Sequence, residues 1–439
     1  MILLAILAAL AAGMSPLVWT SPLAPMMVGG IFAAAAIGVA WLRKPNGALY
    51  AAIFLLLLPR GGFIPRDLQD ELVELVMGFA LLSWFLNAVF RRRPIVLGST
   101  NLLMISFVIW SIVTLTWASN FELARAVFLS LIIDLALLLL IVNEIDSLPT
   151  LNGLMSTLAI SGWILVLAGL NAVITQTYEI SGRLVVMGMN VNEYGISLIV
   201  TMPGVLWPSL WPPKQQGFLR KISGYLFILL TLILIAFSGS RGSLISFFAI
   251  LSAFWLWKPT RPWGKLTLLL SAMAIVTTPF VFSKVLDRFA TGDGGALGGR
   301  MVIWEAAWML IRDHPWIGVG IGNAPEAVLP YLKQLIDTGS HYTHRSLHNA
   351  FLAVWAETGI FGLMLYLSVL TSAVWSFVRQ VRQHGANDMS PLTCYLALTF
   401  CIFVGYTLSW IKSGGFEYHH TCFLMLGLLL VPTRLSHME

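Results

Sequence analysis

LLMISFVIWSIVTLTWA at 102–118 and ARAVFLSLIIDLALLLLIV at 124–142 decide the fold. Both are almost continuous in apolar residues, and a helix of about 20 such residues crosses a hydrocarbon core about 30 Å thick. The rest of the chain repeats their composition. Of 439 residues, 58% are hydrophobic and 10% charged, with a mean hydropathy of +0.84. A soluble domain carries about 25% charged residues, so this sequence has too little polar surface to face water. The expected fold class is all-α, a polytopic integral membrane protein.

Apolar segments recur at 2–19, 26–42, 47–59, 70–90, 101–118, 124–142, 151–174, 192–211, 219–237, 243–257, 264–282, 348–378, 391–411 and 416–432. Two of them, 47–59 and 243–257, are short for a full crossing, which gives 12 to 14 transmembrane helices. The first segment resembles a signal-peptide core but lacks a basic flank, and is expected to remain as the first span. The organisation expected is a transmembrane helical region at 1–282, a loop at 283–347 carrying short amphipathic helices, and C-terminal transmembrane helices at 348–439. Cys394, Cys401 and Cys422 lie in apolar segments without CxxC pairing and are read as small buried hydrophobes.

Loop charge sets the orientation. Counted over the short loops, Lys and Arg fall 14 on one side and 6 on the other. The richer side is cytoplasmic by the positive-inside rule. The 283–347 loop and the junction at His348 then face the periplasm.

Basic residues on the poorer side stand out. Arg183 follows Ser181-Gly182, Arg241 sits in Ser238-Gly239-Ser240-Arg241-Gly242-Ser243, and Arg300 lies in the long loop. Gly and Ser permit tight turning before a helix, and Ser243 is a candidate cap. A guanidinium beside the free N–H groups of a helix start is a good diphosphate receptor. Snorkelling to a headgroup or pairing with a carboxylate is the alternative.

In the loop itself, Ile303, Trp304, Ala307, Trp308 and Ile311 fall at helical spacing, and His314-Pro315 ends the pattern. This predicts an amphipathic helix along the outer interface, its aromatics serving as interfacial anchors more often than as sugar-stacking platforms. Gly318-Val319-Gly320-Ile321-Gly322 has neither a βαβ context nor a following Lys-Ser/Thr, so it is no nucleotide motif and reads as a flexible loop.

His348-Asn349 stands where the polar loop re-enters apolar sequence. His341, His344 and His348 are spaced for a metal, but no carboxylate or Cys completes the set, and no metal is expected. An interfacial structural histidine is a second reading. The third is general-base catalysis: a helix beginning here, with Arg345 nearby, favours the neutral imidazole that can take a proton from a sugar hydroxyl. Asn349 and Arg345 are placed to orient an acceptor. Glu357 falls on roughly the opposite helix face and needs a partner of its own.

His348-Asn349, nine further residues, then Gly359-Ile360-Phe361-Gly362 together resemble the signature of the O-antigen ligase and O-antigen polymerase superfamily of bacterial glycosyltransferases. Arg300 with Trp304, the stretch from His314 to Gly320, and Ser240-Arg241-Gly242 strengthen the resemblance. It implies a multi-pass protein of the bacterial inner membrane with its active site on the periplasmic face. It also implies transfer of a glycan from undecaprenyl diphosphate to the lipid A–core oligosaccharide, without metal or other cofactor and without nucleic acid as a partner. His348 would be the base, while Arg241, Arg300 and, on a looser motif, Arg183 would bind the diphosphate. An O-antigen polymerase and a pilin-type O-oligosaccharyltransferase are the alternatives within the superfamily. A lipid-linked glycan transporter or flippase is the non-enzyme alternative, but it would distribute charge at mid-membrane rather than at one face.

Overall fold

In the computed structural model, the described residues are 38, 40–42, 44–59, 64–92, 94–178, 183–211, 217–265, 294–335, 346–384, 389–413 and 420–435. The helices are α1 Pro45–Leu57, α2 Arg66–Phe90, α3 Ser99–Thr114, α4 Phe121–Glu144, α5 Leu148–Ile174, α6 Val191–Leu210, α7 Phe218–Ser238, α8 Arg241–Ala253, α9 Gly294–Asp313, α10 Ala324–Ala327, α11 Leu329–Leu335, α12 Ala350–His384, α13 Pro391–Ser413, α14 His420–Leu430 and α15 Pro432–Leu435. Among the described residues, β pairing is limited to two isolated bridges, Tyr178 with Leu184 and Val186 with Met189. The protein is all-α.

Among the described residues, seven helices, α2, α3, α4, α5, α7, α12 and α13, are long and apolar enough to cross a membrane. The shorter apolar helices α1, α8 and α14 match expected segments. Segments 2–19 and 264–282, and most of 26–42, lie outside the described residues apart from two positions at 264–265. The remaining expected segment is α6. It is buried along nearly its whole length and carries Pro203 and Pro208 inside the helix. A Cβ at Gly204 would meet the Ala159 backbone nitrogen at 2.5 Å, so glycine is what lets α6 press against α5. Trp207 Nε1 donates to Asn152 Oδ1 at 2.8 Å across the same seam.

Capping chemistry fixes where several helices begin. Asn120 accepts the Leu123 N–H at the start of α4, Ser147 and Thr150 form a reciprocal capping box at α5, and Asn190 accepts the Asn192 N–H at α6. At α8 the cap is Ser240, whose Oγ accepts the Ser243 N–H. Ser243, expected as the cap, is instead the third helical residue, and Arg241 is the first.

Helix α14 packs on both α4 and α12. Asp134 of α4 and His420 at the start of α14 meet at 2.8 Å between Oδ1 and Nδ1, both buried. The amphipathic helix expected around 300–312 is α9. It packs on α11 and α12, burying Ile303, Ala307 and Ile311 against protein.

Candidate functional site

The chain enters α12 through Ser346, Leu347, His348 and Asn349. Asn349 Oδ1 accepts the N–H groups of Phe351 at 3.0 Å and Leu352 at 3.2 Å, which makes Asn349 the helix cap. Its side-chain oxygen is therefore engaged by backbone, and acceptor orientation would fall to its amide nitrogen. His348, just before the cap, has φ +49°, a left-handed conformation that non-glycine residues adopt at a cost of roughly 1–2 kcal/mol. Its N–H reaches Ser346 Oγ at 3.4 Å. On the other side, Trp304 of α9 donates its indole N–H to the Leu347 carbonyl at 3.0 Å. The half-buried His348 is thus set by a cap below it and an indole beside it.

Eleven residues into the chain after His348, α12 breaks at Gly359, with φ +69° and ψ −173°. The segment 314–323 fills the break. Val319 and Gly320 donate to the carbonyls of Ala356 and Glu357, both at 2.9 Å, and Ile360 donates to the Pro315 carbonyl at 3.0 Å. Trp355 adds its indole N–H to the same Pro315 carbonyl at 3.2 Å. The buried Glu357 carboxylate accepts the Gly322 N–H at 2.7 Å, supplying the partner that a carboxylate in an apolar helix requires. A Cβ at Gly359 would collide with the Trp316 carbonyl, and one at Gly318 with the Glu357 backbone. The Gly318–Gly322 stretch is therefore docked on α12, where the sequence suggested a flexible loop.

The same segment ties α12 to α3 and α4. Ile321 N–H reaches Thr114 Oγ1 at 3.3 Å, and Trp110 Nε1 donates to the Thr358 carbonyl at 2.8 Å. Asn323, fully buried, accepts the Ser119 hydroxyl at 2.9 Å and the Asn120 N–H at 2.7 Å. Sequence reasoning passed over Asn323 and Trp110. The only local signal was three glycines at alternate positions, and the partners of two of them lie far along the chain, the Glu357 carbonyl for Gly320 and the Glu357 carboxylate for Gly322.

The arginines come from other elements. Arg241 opens α8, whose cap Ser240 is held by Asn192 Oδ1 at 2.7 Å. Leu184 donates to the Phe237 carbonyl at 3.2 Å, so the Arg183 segment lies along the end of α7, four residues before Arg241. Arg300 is half-buried on α9. Burial, and then the positive charge of Arg241, lowers its guanidinium pKa below the ordinary value. Two like charges within electrostatic reach in a partly dry setting favour an anion between or beside them. Arg300 also lies one helical turn before Trp304, the residue bonded next to His348. Arg300 is thus linked to Arg241 electrostatically, and through Trp304 on the same helix to the turn before His348. Arg345, His341 and His344 lie outside the described residues.

The O-Antigen ligase family profile matches residues 226–367. That stretch contains Arg241, Arg300, His348 and the Gly359–Gly362 break, but not Arg183. An O-antigen ligase of Salmonella typhimurium is 32% identical over 117 residues, 25% of this chain and 26% of that protein. An uncharacterized protein of Haemophilus influenzae is 22% identical over 200 residues, 42% of this chain and 50% of that protein. The chain thus spans half or less of the length of these curated relatives. Over residues 226–367, about a third of its length, this all-helical polytopic membrane protein is thus similar to the O-antigen ligase family.

Proposed function

We propose that this protein is an O-antigen ligase that transfers a glycan from undecaprenyl diphosphate to a sugar hydroxyl of the lipid A–core oligosaccharide. The reaction takes place at the periplasmic face of the bacterial inner membrane. What supports this reading is the electrostatic coupling of Arg300 to Arg241, together with the bond by which Trp304, one turn after Arg300, holds the carbonyl just before His348. His348 takes the proton of the acceptor hydroxyl as the oxygen attacks the anomeric carbon, and the diphosphate leaves with the bonding pair. Arg241 and Arg300, with Arg183 nearby, stabilise the negative charge that develops on that leaving group. Guanidiniums serve here where many glycosyltransferases use a divalent cation.

Purified full-length protein, undecaprenyl-diphosphate-linked glycan and lipid A–core provide the test, with transfer followed by the size shift of the acceptor. Transfer at an undiminished rate in the presence of EDTA is expected. Loss on chelation with recovery on adding a divalent cation would overturn the metal-independent mechanism. Glycan extension on the lipid carrier, with the core left unmodified, would mark a polymerase instead.

Arg241→Lys separates bidentate phosphate recognition from a mere charge. Charge-assisted hydrogen bonds are worth roughly 1.5–3 kcal/mol, so Lys is expected to lower transfer by roughly 10- to 100-fold. A fully active Lys variant would show that Arg241 acts only as a point charge.

A further inference from the structure

Arg300, Trp304, Trp308 and Arg312 follow one another at intervals of four residues on α9. Each such step turns a helix by 400°, a net drift of about 40°, and advances about 6 Å. The series therefore winds outward. Arg300 and Trp304 are half-buried, whereas Trp308 and Arg312 are exposed. Its first member is electrostatically coupled to Arg241. The second bonds to the carbonyl just before His348.

The outer end has a defined construction. Trp308 is 40% exposed, and its ring packs nearly perpendicular to that of Trp355, with centroids 5.4 Å apart and planes at 83°. The Arg312 guanidinium lies 5.8 Å from the Trp308 ring centre. Glu305, one turn earlier on the same face, and Asp313 are also exposed, and Tyr331 of α11 donates its hydroxyl to Asp313. An immobilised aromatic ring flanked by charges of both signs suits a neutral polyhydroxylated ring. The ring supplies an apolar face for the sugar C–H groups, and the carboxylate and guanidinium serve adjacent hydroxyls. The two carboxylates would repel anionic lipid headgroups, which argues against Trp308 as a membrane anchor.

We infer that the exposed face of α9 at Glu305, Trp308 and Arg312 is the docking platform for a pyranose of the acceptor oligosaccharide. α9 then acts as a ruler, with the diphosphate held at Arg300, the base set at Trp304 and the acceptor received at Trp308. This assignment rests on the ligase reading above and names positioning residues for its second substrate.

Two measurements on the full-length protein test it. In steady-state transfer, Trp308→Ala is expected to raise the acceptor KM about tenfold, with the donor KM unchanged, and Trp308→Phe to recover most of that loss. Arg312→Gln, at an exposed position that leaves the Trp308–Trp355 contact in place, should shift the acceptor KM in the same direction. Independently of turnover, lipid-free core oligosaccharide should bind wild-type protein and bind Trp308→Ala at least several-fold more weakly. An unchanged acceptor KM and unchanged oligosaccharide binding in Trp308→Ala would overturn the platform. A uniform fall in turnover at constant KM, reversed by changing the lipid surround, would show a membrane anchor and overturn it as well. Failure of the ligase reading would look different, since wild-type protein would then transfer no glycan to the core.

Discussion

Replacing His348 with Ala or with Asn abolishes glycan transfer: this is the largest effect expected on activity. A positioned general base contributes about 10²- to 10⁴-fold, and neither side chain can replace an imidazole in taking a proton at neutral pH. The two variants are needed together because His348 sits at φ +49°. Ala is strained in a left-handed conformation, so its loss of activity could reflect a displaced turn. Asn tolerates that conformation well, and the Asn349 cap remains intact beside it. The measurement is single-turnover transfer alongside thermal unfolding in detergent. Transfer within a few fold of wild type in His348→Asn would remove His348 from the base position. Loss in Ala alone, rescued in Asn, would assign it a structural role in shaping the entry to α12.

Gly359→Ala is expected to have the largest effect on stability. The residue needs φ +69°, and an added methyl would run into the Trp316 carbonyl. Relief requires the segment 314–323 to move away, which sacrifices the bonds from Val319, Gly320 and Gly322 and the bond from Ile360 to Pro315. Buried polar groups left unsatisfied cost about 1–3 kcal/mol each, and backbone strain adds to that. A loss on the order of 4–5 kcal/mol places this among the severe point substitutions. Gly362→Ala should cost less, because its methyl meets the side chains of Thr358 and Trp110 rather than a carbonyl of another segment. Melting temperatures of the two variants give the comparison. A Gly359→Ala protein as stable as wild type would show that the docked segment can shift freely.

The signature spacing in the sequence therefore combines two roles. His348-Asn349 presents a side chain and caps a helix, while Gly359 makes the break that receives the 314–323 segment. The helix start after His348 was legible because a polar stretch running into apolar sequence has recognisable chemistry, but Asn349 was read as orienting an acceptor and not as the cap it forms. The membrane helices were legible for a similar reason, since about 20 apolar residues in a row have few other uses. Helix α9 was readable from its 3.6-residue periodicity between Ile303 and Ile311. The docking of Gly318–Gly322 was not, because Val319, Gly320 and Gly322 find their acceptors, two carbonyls and a carboxylate, beside a kink some forty residues later. The cap at Ser240 rather than Ser243 shows the same limit at short range. Both serines suit the role, and only the backbone conformation around Gly239 and Ser240 decides between them. Asp134 drew no notice within its apolar run, since its partner at His420 is invisible locally.

That pairing has a consequence for how the chain is built. An aspartate at mid-helix is expensive to place in lipid, by roughly 2.5–3.5 kcal/mol on insertion scales. The histidine that meets it comes 286 positions later. While the ribosome is still translating the intervening residues, α4 has to enter the bilayer without that contact. The contact that seats Asp134 against His420 can therefore form only after α14 has been made.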